Sequence, residues 1–276
     1  MTIGRIRISA VLPSLEGGGA EQVTVTVANA LAERGHLVDL VVASAEGPNR
    51  VRVSSQVQIV NLNRAGMAQC IAPLSRYLRK ERPDAILSVM THANNITLLA
   101  RLLSGEKGRL VISERVSLRW PPENAKELLH QRLRRLLYRC ADGLVMVAKE
   151  EIPLAADWFR IPRERISAIY NPVITPEFER LRTERPAHPW LSAKLAEPVV
   201  VAVGRLEPQK DHALLIEAFS LLRSRRPARL VIFGEGSLRT ALEAQIRNLR
   251  LDDCVDLPGF TGNPVAELAA ADLFVL

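Results

Sequence analysis

The stretch VVVAVGRLEPQKDHALLIEAF, residues 199–219, joins a short apolar run to an amphipathic segment through a glycine turn. The run Val199–Val203 is apolar throughout, which predicts a strand that is buried on both faces of a sheet. After Asp211 the apolar residues recur three and four positions apart, which predicts a helix over residues 212–225. A buried strand that passes through a glycine turn into a helix is typical of an α/β fold with a parallel sheet.

Buried strands and helices alternate along most of the chain, beginning with the apolar run at residues 6–12. Between residues 175 and 198 the alternation gives way to four prolines and scattered charges, which are typical of an interdomain linker. The alternation resumes at Val199. We therefore predict two tandem Rossmann-like doubly wound parallel sheets, with an N-terminal domain over residues 1–174, a linker over residues 175–198 and a partial C-terminal domain over residues 199–276.

The sequence ends on ADLFVL, residues 271–276, within what the pattern predicts to be a buried strand. A strand of a parallel sheet is normally followed by a crossover helix, and a native chain seldom ends on exposed apolar residues. We therefore expect the second sheet to be incomplete and the sequence to be a shortened form of a longer chain.

The composition is that of a globular protein with a basic surface. The 276 residues are 47% hydrophobic and 24% charged, which is enough for two domains with cores of their own. The net charge of +7 favours phosphate-rich partners such as nucleotides or anionic lipid, although a generally basic surface would give the same number. Aromatic residues make up only 4%, so there is little to stack on bases and nucleic-acid binding is disfavoured.

Cysteine usage and the N-terminus indicate a cytoplasmic protein. The three cysteines lie far apart and show neither metal-ligand nor disulfide spacing. The first residues form no signal peptide, and no apolar run approaches the ~20 residues of a membrane span. There is also no Asp-x-Asp pair, so we expect no metal ion and no other cofactor.

Two cations stand at the start of the helix in the opening stretch. Arg205 and Lys210 flank the turn between strand and helix, and Asp211 is placed to cap the helix. Arginine grips phosphate oxygens in pairs, lysine adds a point charge, and the helix dipole favours an anion. We therefore predict that Arg205 and Lys210 clamp a diphosphate; the alternative is a solvated surface pair.

Glycine loops stand between a strand and a helix in both predicted domains. Without side chains they let a ligand approach the backbone, and the amides at a helix start favour an anion. Neither loop is G-x-G-x-x-G or a P-loop, so a flexible connection is the alternative. In the second loop we expect Ser237 to cap the next helix. The glycine-loop residues predicted to bind a ligand are Gly17, Gly18, Gly19, Gly234, Glu235 and Gly236.

Polar residues follow two predicted strands of the first domain. His92 comes directly after the strand that ends at Met90, and Glu114 and Arg115 follow the next strand. Because the carboxyl ends of parallel strands line the ligand crevice, His92 is a candidate for hydrogen bonding or proton chemistry on a substrate. The alternative for His92 is a polar loop residue. Glu114 and Arg115 either form an ion pair that holds a loop or contact an acceptor.

A basic amphipathic helix is predicted over residues 126–140. The helix either packs its apolar face on the sheet and exposes a solvated basic face, or contacts an anionic membrane surface. The second alternative would place the protein at the inner face of the cell membrane as a peripheral protein. The apolar face comprises Leu129, Leu133, Leu136, Leu137 and Cys140, and the basic face comprises Arg132, Arg135 and Arg139.

Six short motifs occur in a fixed order along the chain, which resembles GT-B glycosyltransferases of family 4, the retaining type that uses nucleotide sugars. The resemblance extends over nearly all of the 276 residues, and GRL-x-x-QKD followed by GEG-x-x-R is its most specific part. The motifs are GGGAE (17–21), SER (113–115), YNPV (170–173), VGRLEPQKD (203–211), FGEGSLR (233–239) and VDLPGF (255–260).

The resemblance implies a glycosyltransferase that moves a sugar from a nucleotide diphosphate sugar to a saccharide or lipid-linked acceptor in polysaccharide biosynthesis. It implies that Arg205 and Lys210 hold the donor diphosphate, that His92 lies near the reacting sugar, and that Asn171 and Pro172 lead into a hinge. The family continues past residue 276 with two glutamates that bind the donor. The alternative is therefore a catalytically incomplete chain that only binds nucleotide or phosphate. The GRLEPQKD motif argues against an epimerase, and the length argues against a phosphorylase.

Overall fold

The computed structural model describes residues 4–16, 18–115, 125–193 and 196–276, which form two compact units divided between Pro172 and Val173. The segment 175–198, predicted as a linker, therefore lies inside the second unit. It is held there by side chains of that unit: Asn263 Nδ2 donates to the carbonyl oxygen of Leu181 at 3.0 Å, and the Glu267 carboxylate accepts from the Ala187 amide at 3.0 Å.

The first unit contains a parallel sheet. Its described residues form seven strands in the order β3-β2-β1-β4-β5-β6-β7. This order confirms the predicted α/β class with a Rossmann-like winding. The strands are β1 (Arg7–Leu12), β2 (Leu37–Val42), β3 (Val57–Asn61), β4 (Ala85–Val89), β5 (Arg109–Ser113), β6 (Gly143–Met146) and β7 (Ile166–Ala168). The helices are α1 (Gly19–Glu33), α2 (Ile71–Glu81), α3 (Thr91–Ser104), α4 (Ala125–Leu137) and α5 (Ile152–Phe159).

The second unit contains a second parallel sheet, in which the described residues form four strands in the order β10-β9-β8-β11. Each unit therefore places its third, second, first and fourth strands side by side in that order. The strands are β8 (Val199–Val203), β9 (Arg229–Phe233), β10 (Val255–Gly259) and β11 (Leu273–Phe274). The helices are α6 (Pro176–Arg182), α7 (Pro189–Ser192), α8 (His212–Arg223), α9 (Arg239–Asn248) and α10 (Pro264–Ala270).

Alternate residues of the central strands pack into separate hydrophobic cores on the two faces of each sheet. In β1, Val11 packs in one apolar cluster while Ala10 and Leu12 pack in another, and all three side chains are buried. In β8, Val200 and Val201 divide in the same way. Burying a side chain of this size stabilises the fold by roughly 1.5–3 kcal/mol relative to leaving it exposed. The continuous apolar runs in the sequence follow from this burial on both faces.

The strand order fixes where a ligand would approach each unit. In the first unit the winding reverses direction between β1 and β4, and in the second unit it reverses between β8 and β11. The loops at the carboxyl ends of strands beside such a reversal line a crevice where α/β proteins bind ligands. Within the described part of the chain, no helix combines the length and the apolar character needed to cross a membrane.

Candidate functional site

The loop after β8 presents two exposed cations on a backbone that is packed tightly. Arg205 and Lys210 are both exposed, while Leu206 between them is fully buried and anchors the loop. The aliphatic stem of Lys210 packs over Gly204, where a Cβ atom would stand 3.4 Å from three of its carbons. Arg205 and Lys210 are thus both exposed on one tightly packed loop, and the diphosphate clamp stays a prediction.

The glycine loop after β9 rests directly on this cationic loop. Gly204 donates its amide to the Phe233 carbonyl at 2.9 Å, Leu206 donates to Glu235 at 3.0 Å, and Leu238 donates to Leu206 at 3.0 Å. A Cβ atom on Gly234, whose φ is 144°, would overlap the carbonyl oxygen of Gly204. Only glycine allows this approach, so the two loops form one interlocked surface.

Glu207 ties the two loops together through its side chain. Its Oε1 accepts from the Ser237 amide at 3.1 Å, and its Oε2 accepts from the Ser237 hydroxyl at 2.9 Å. These bonds, the amide bond first, hold the pKa of Glu207 below its usual value, and the nearby charge of Arg205 acts in the same direction. Ser237 was predicted to cap the next helix, but α9 begins at Arg239 and Ser237 bonds Glu207 instead.

The start of α8 differs from the predicted capping arrangement. Asp211 occupies the cap position in the left-handed conformation, with φ of 47°, and its side chain makes no capping hydrogen bond. The Asp211 side chain therefore satisfies none of the first amides of α8, although its backbone carbonyl accepts from the Leu214 amide at 3.1 Å. His212, the first residue of the helix, is buried with Nε2 unpartnered, and burial lowers its pKa most strongly.

Glu235, predicted as a donor-binding residue, is held by an arginine of its own unit. Arg239 donates from Nε to Oε2 at 2.8 Å and from Nη2 to Oε1 at 2.7 Å, and its Nη1 donates to Glu243 at 2.8 Å. The bonds from Arg239 lower the pKa of Glu235, which stays partly exposed. This arrangement fixes the shape of the glycine loop, whose flanking glycines Gly234 and Gly236 pack against the backbone of Gly204 and Leu206. The predicted contact of these glycines with a donor stays a prediction.

In the first unit a strained turn carries His92. Met90, between β4 and α3, has φ of 80° and ψ of 141°, which is rare for a residue with a side chain. His92 lies exposed in the first turn of α3, at the carboxyl end of the strand beside the winding reversal. Backbone strain of this kind clusters at functional sites, and the role of His92 stays a prediction.

Glu114, at the end of the neighbouring strand β5, is completely buried and its carboxylate is saturated with partners. It accepts from the Thr91 hydroxyl at 2.7 Å and from the Tyr138 hydroxyl at 2.6 Å. Arg134 Nη1 lies 3.7 Å from Oε2 and balances its charge. Burial, reinforced by Glu114, raises the pKa of Tyr138 well above its usual value. Glu114 therefore fixes the turn that carries His92, and the predicted acceptor-side residue that stays partly exposed is Arg115.

Arg115 is joined to a motif far along the chain. Its Nη1 donates to Oδ1 of Asn171, so the SER and YNPV motifs meet in space. The one hydrogen bond between Arg115 and Glu114 comes from the Arg115 backbone amide, at 3.2 Å. The guanidinium of Arg115 therefore does not form the predicted ion pair with Glu114. Desolvation by burial lowers the pKa of Arg115.

The first glycine loop leads into α1, which begins at Gly19. Gly17 lies outside the described residues, so the structure describes only Gly18 and Gly19 of the predicted three. The buried side chain of Glu21 folds against Gly18 and would overlap any Cβ atom placed there. Glu21 thus adds negative charge to the first turn of α1, close to where the sequence predicted an anion.

Residues 17–176 match the sequence model of Glycosyltransferase Family 4, and residues 186–276 match that of Glycosyl transferases group 1. The first match alone extends over more than half of the chain. The chain belongs to glycosyltransferase family 4. This membership confirms the resemblance predicted from the six motifs.

Two curated relatives come from Campylobacter jejuni. One, named N-acetylgalactosamine-N,N'-diacetylbacillosaminyl-diphospho-undecaprenol 4-alpha-N-acetylgalactosaminyltransferase, is 33% identical over 193 residues, covering 69% of this chain and 50% of the relative. The other, named GalNAc-alpha-(1->4)-GalNAc-alpha-(1->3)-diNAcBac-PP-undecaprenol alpha-1,4-N-acetyl-D-galactosaminyltransferase, is 24% identical over 284 residues, covering 98% of this chain and 72% of the relative. The family 4 chain thus spans about half the length of the first relative.

Solved structures show the same fold. Anabaena Alr3699/HepE in complex with UDP and glucose superposes with a TM-score of 0.74 at 18% identity, covering 98% of this chain and 73% of that one. The likeness at this identity establishes that the two chains share a fold. In the described residues of the family 4 chain, no three His, Cys, Asp or Glu side chains gather in a way that could hold a metal ion.

Several residues of these two sites were missed by reasoning from sequence. Thr91, Arg134 and Tyr138 surround Glu114, and Glu207 joins Ser237. The spacing of Arg134 and Tyr138, four residues apart near the end of α4, places them on one helix face and was a usable signal. Ser237, the partner of Glu207, lies 30 residues away, and no short-range pattern reveals it.

Proposed function

We propose that this chain transfers a sugar from a nucleotide diphosphate sugar to a lipid-linked or saccharide acceptor. Family membership supports the reaction class, and the names of the two curated relatives support an acceptor carried on undecaprenol diphosphate. The structural neighbour bound to UDP and glucose supports a uridine nucleotide as the donor carrier. On this proposal the second unit binds the donor and the first unit binds the acceptor.

The cationic loop of the second unit is the observation that carries the proposal. Within the described part of the second unit, neither Arg205 nor Lys210 has a carboxylate within ion-pair distance. The carboxylate of Glu207 is engaged by Ser237 instead. Two exposed cations that have no ion-pair partner in the described second unit, beside a helix start, form a favourable site for a diphosphate.

The reaction requires negative charge to be stabilised on the leaving group. The bond between the anomeric carbon and the diphosphate oxygen breaks, and the diphosphate leaves with the electron pair. An acceptor hydroxyl oxygen then forms the new bond to the anomeric carbon, and its proton passes to the diphosphate that has left. Arg205, Lys210 and the first amides of α8 would stabilise the growing charge on the diphosphate, because fixed charges need no rearrangement at that moment.

His92 completes the proposed machinery in the first unit. We assign His92 to the reacting sugar, since it is exposed on a strained turn that Glu114 and Thr91 hold in place. Gly18 and Gly19 stay predicted donor-binding residues, and the Glu21 carboxylate that folds against Gly18 weighs against a phosphate there. The two cations of the second unit supply the positive charge that a metal ion supplies in other transferases, so we propose a reaction that needs no metal.

The helix α4 supports a contact with an anionic membrane surface at the inner face of the cell membrane. Leu133 and Leu136 were predicted on an apolar face that could pack on the sheet, yet they are 46% and 62% exposed. Arg132 and Arg135 line a groove of about 420 Å³ between α4 and α5, which also contains Trp158. Exposed leucines, arginines and a tryptophan together suit the interface of an anionic bilayer. Leu129 lies outside the residues whose side chains the structure describes.

The decisive experiment measures nucleotide binding and sugar transfer on the same protein. UDP and a panel of UDP sugars are titrated by calorimetry, and transfer to a prenyl diphosphate-linked sugar is followed by mass spectrometry, with and without EDTA. Arg205→Ala and Lys210→Ala should each raise the Kd for UDP about tenfold or more, because each removes a charge-assisted hydrogen bond. Transfer should proceed with EDTA present.

The matched control is Arg247→Ala, which removes an exposed arginine from the far end of α9 and should leave the Kd for UDP unchanged. His92→Ala should lower kcat on the order of 10²-fold while leaving UDP binding intact. Binding of UDP without transfer to any acceptor would support the alternative of a nucleotide binder. Sedimentation with vesicles of phosphatidylglycerol, compared with vesicles of phosphatidylcholine alone, tests the membrane contact.

A further inference from the structure

Arg115 is a half-buried cation for which the described residues supply no balancing carboxylate. In the part of the chain that the structure describes, no acidic side chain lies within ion-pair distance of its guanidinium. One guanidinium nitrogen, Nη1, donates to Asn171, and another, Nε, is buried with no hydrogen-bond partner among the residues that the structure describes. Charged side chains that are buried away from water are normally paired with an opposite charge. The described residues supply no such partner for Arg115.

The neighbouring carboxylate cannot fill that role. Glu114 is fully buried and already receives hydrogen bonds from Thr91 and Tyr138, with Arg134 as its cationic neighbour. Its one hydrogen bond to Arg115 comes from the backbone amide. At this strand end, the carboxylate of Glu114 is therefore fully engaged by its partners. The guanidinium of Arg115 remains available to bind an anion.

The position and the fixed geometry of Arg115 point to ligand binding. Arg115 follows β5 and His92 follows β4, and these strands are neighbours whose ends pair Val89 with Ser113. Neighbouring strands lie about 5 Å apart, so Arg115 stands on the same sheet edge as His92, one strand away. Asn171 holds one arm of the guanidinium, which reduces the rotational freedom lost on binding.

We propose that Arg115 binds a phosphate group of a prenyl diphosphate on the acceptor. The inference rests on the proposed function and extends it, because it assigns the chemical group on the acceptor that the first unit recognises. Guanidinium groups bind phosphate through paired hydrogen bonds, and the unpartnered Nε is one of the donors that such a pair requires. The donor diphosphate already has Arg205 and Lys210 in the second unit, which leaves the diphosphate of the acceptor for Arg115.

The test uses geranyl diphosphate as the probe, titrated by calorimetry into the whole chain with saturating UDP present. UDP fills the cationic loop of the second unit, so the probe reports on the other diphosphate site. Arg115→Ala should raise the Kd for geranyl diphosphate about tenfold or more, because a charge-assisted hydrogen bond is lost. Arg115→Lys should give an intermediate Kd, because the charge is kept and the paired geometry is lost.

The matched control is Arg109→Ala, which removes an exposed arginine from the opposite end of the same strand and should leave the Kd unchanged. Asn171→Ala leaves Arg115 in place but frees its guanidinium, and should raise the Kd for the probe without changing that for UDP. Thermal unfolding of each variant identifies any that fails to fold. The Arg115→Lys and Asn171→Ala variants then still decide the question.

Three results would overturn the inference. The Kd for geranyl diphosphate could be unchanged in Arg115→Ala, or geraniol could bind as tightly as the diphosphate. A loss of UDP affinity without loss of probe affinity would assign Arg115 to the donor instead. Failure of the proposed function is a separate outcome, in which Arg205→Ala retains full affinity for UDP while the results at Arg115 stand.

Discussion

The carboxylate of Glu207 accepts two hydrogen bonds from Ser237, one from its backbone amide at 3.1 Å and one from its hydroxyl at 2.9 Å. The two residues belong to different loops, one following β8 and the other following β9. Their link holds the loop of Arg205 and Lys210 against the glycine loop. The geometry of the cationic site therefore depends on a residue that need not touch the ligand.

Replacing Glu207 should weaken nucleotide binding more than it weakens the fold. We expect Glu207→Ala to raise the Kd for UDP about threefold to tenfold, because the two loops lose a charge-assisted link. Ser237→Ala should produce a smaller rise. Calorimetric titration of both single variants and the double variant measures the coupling, and additive effects would show that the two side chains do not act together.

The Glu207 link should also give the chain a measurable pH dependence. The pKa of Glu207 is lowered below its ordinary value of 4.5 in the folded state, so its contribution to stability is complete above that value. The contribution disappears as the pH falls through the lowered pKa. The difference in Tm between wild type and Glu207→Gln should therefore be constant from pH 7 to about 5 and shrink below that. A difference that grows on acidification would contradict the assignment.

Gly234→Ala should destabilise the second unit. A Cβ atom there would overlap the carbonyl oxygen of Gly204, and the φ of 144° is unfavourable for any residue with a side chain. We expect a loss of at least about 2 kcal/mol in the free energy of unfolding, measured by urea denaturation. Gly262→Ala is the control in the same unit, since open space surrounds Gly262, and it should change the stability little.

Tyr138→Phe should be costly because it leaves the buried carboxylate of Glu114 short of a donor. The hydroxyl donates to Glu114 at 2.6 Å and accepts from Asn94 Nδ2 at 3.2 Å. We expect a loss of about 1.5–3 kcal/mol in the free energy of unfolding, as for other hydrogen bonds to charged groups. Tyr170→Phe removes a hydroxyl from a residue that is 58% exposed and should cost less than about 0.5 kcal/mol. Equal losses in the two variants would refute the role of Tyr138.

Sequence reasoning succeeded where a pattern is local and failed where it depends on distant partners. The run Val199–Val203 and the glycine at 204 indicate a buried strand and a turn, because both signals lie within a few residues. The prolines between residues 175 and 198 suggested a free linker. Asn263 and Glu267, which hold that segment to the second unit, lie about 80 residues away and leave no trace in its composition.

The helix α4 shows how a buried charge can override a hydrophobic pattern. The leucine spacing predicted an apolar face with Leu133 and Leu136 that either packs on the sheet or contacts a membrane. In the structure both are exposed, while the Arg134 side chain is only 13% exposed. Glu114 is buried and needs a cation nearby, so the face with Arg134, Leu137 and Tyr138 packs inwards. The sequence does not show that Glu114 is buried, so it could not show that Glu114 requires a cation from α4.

The two sheets share one strand order, with the third, second, first and fourth strands of each unit side by side. Each unit also has apolar clusters of its own, drawn from its own strands. The chain is therefore modular, and selection can alter one half without redesigning the interior of the other. A chimera that joins residues 1–172 to the second unit of another family 4 protein should fold and should acquire the nucleotide preference of the graft.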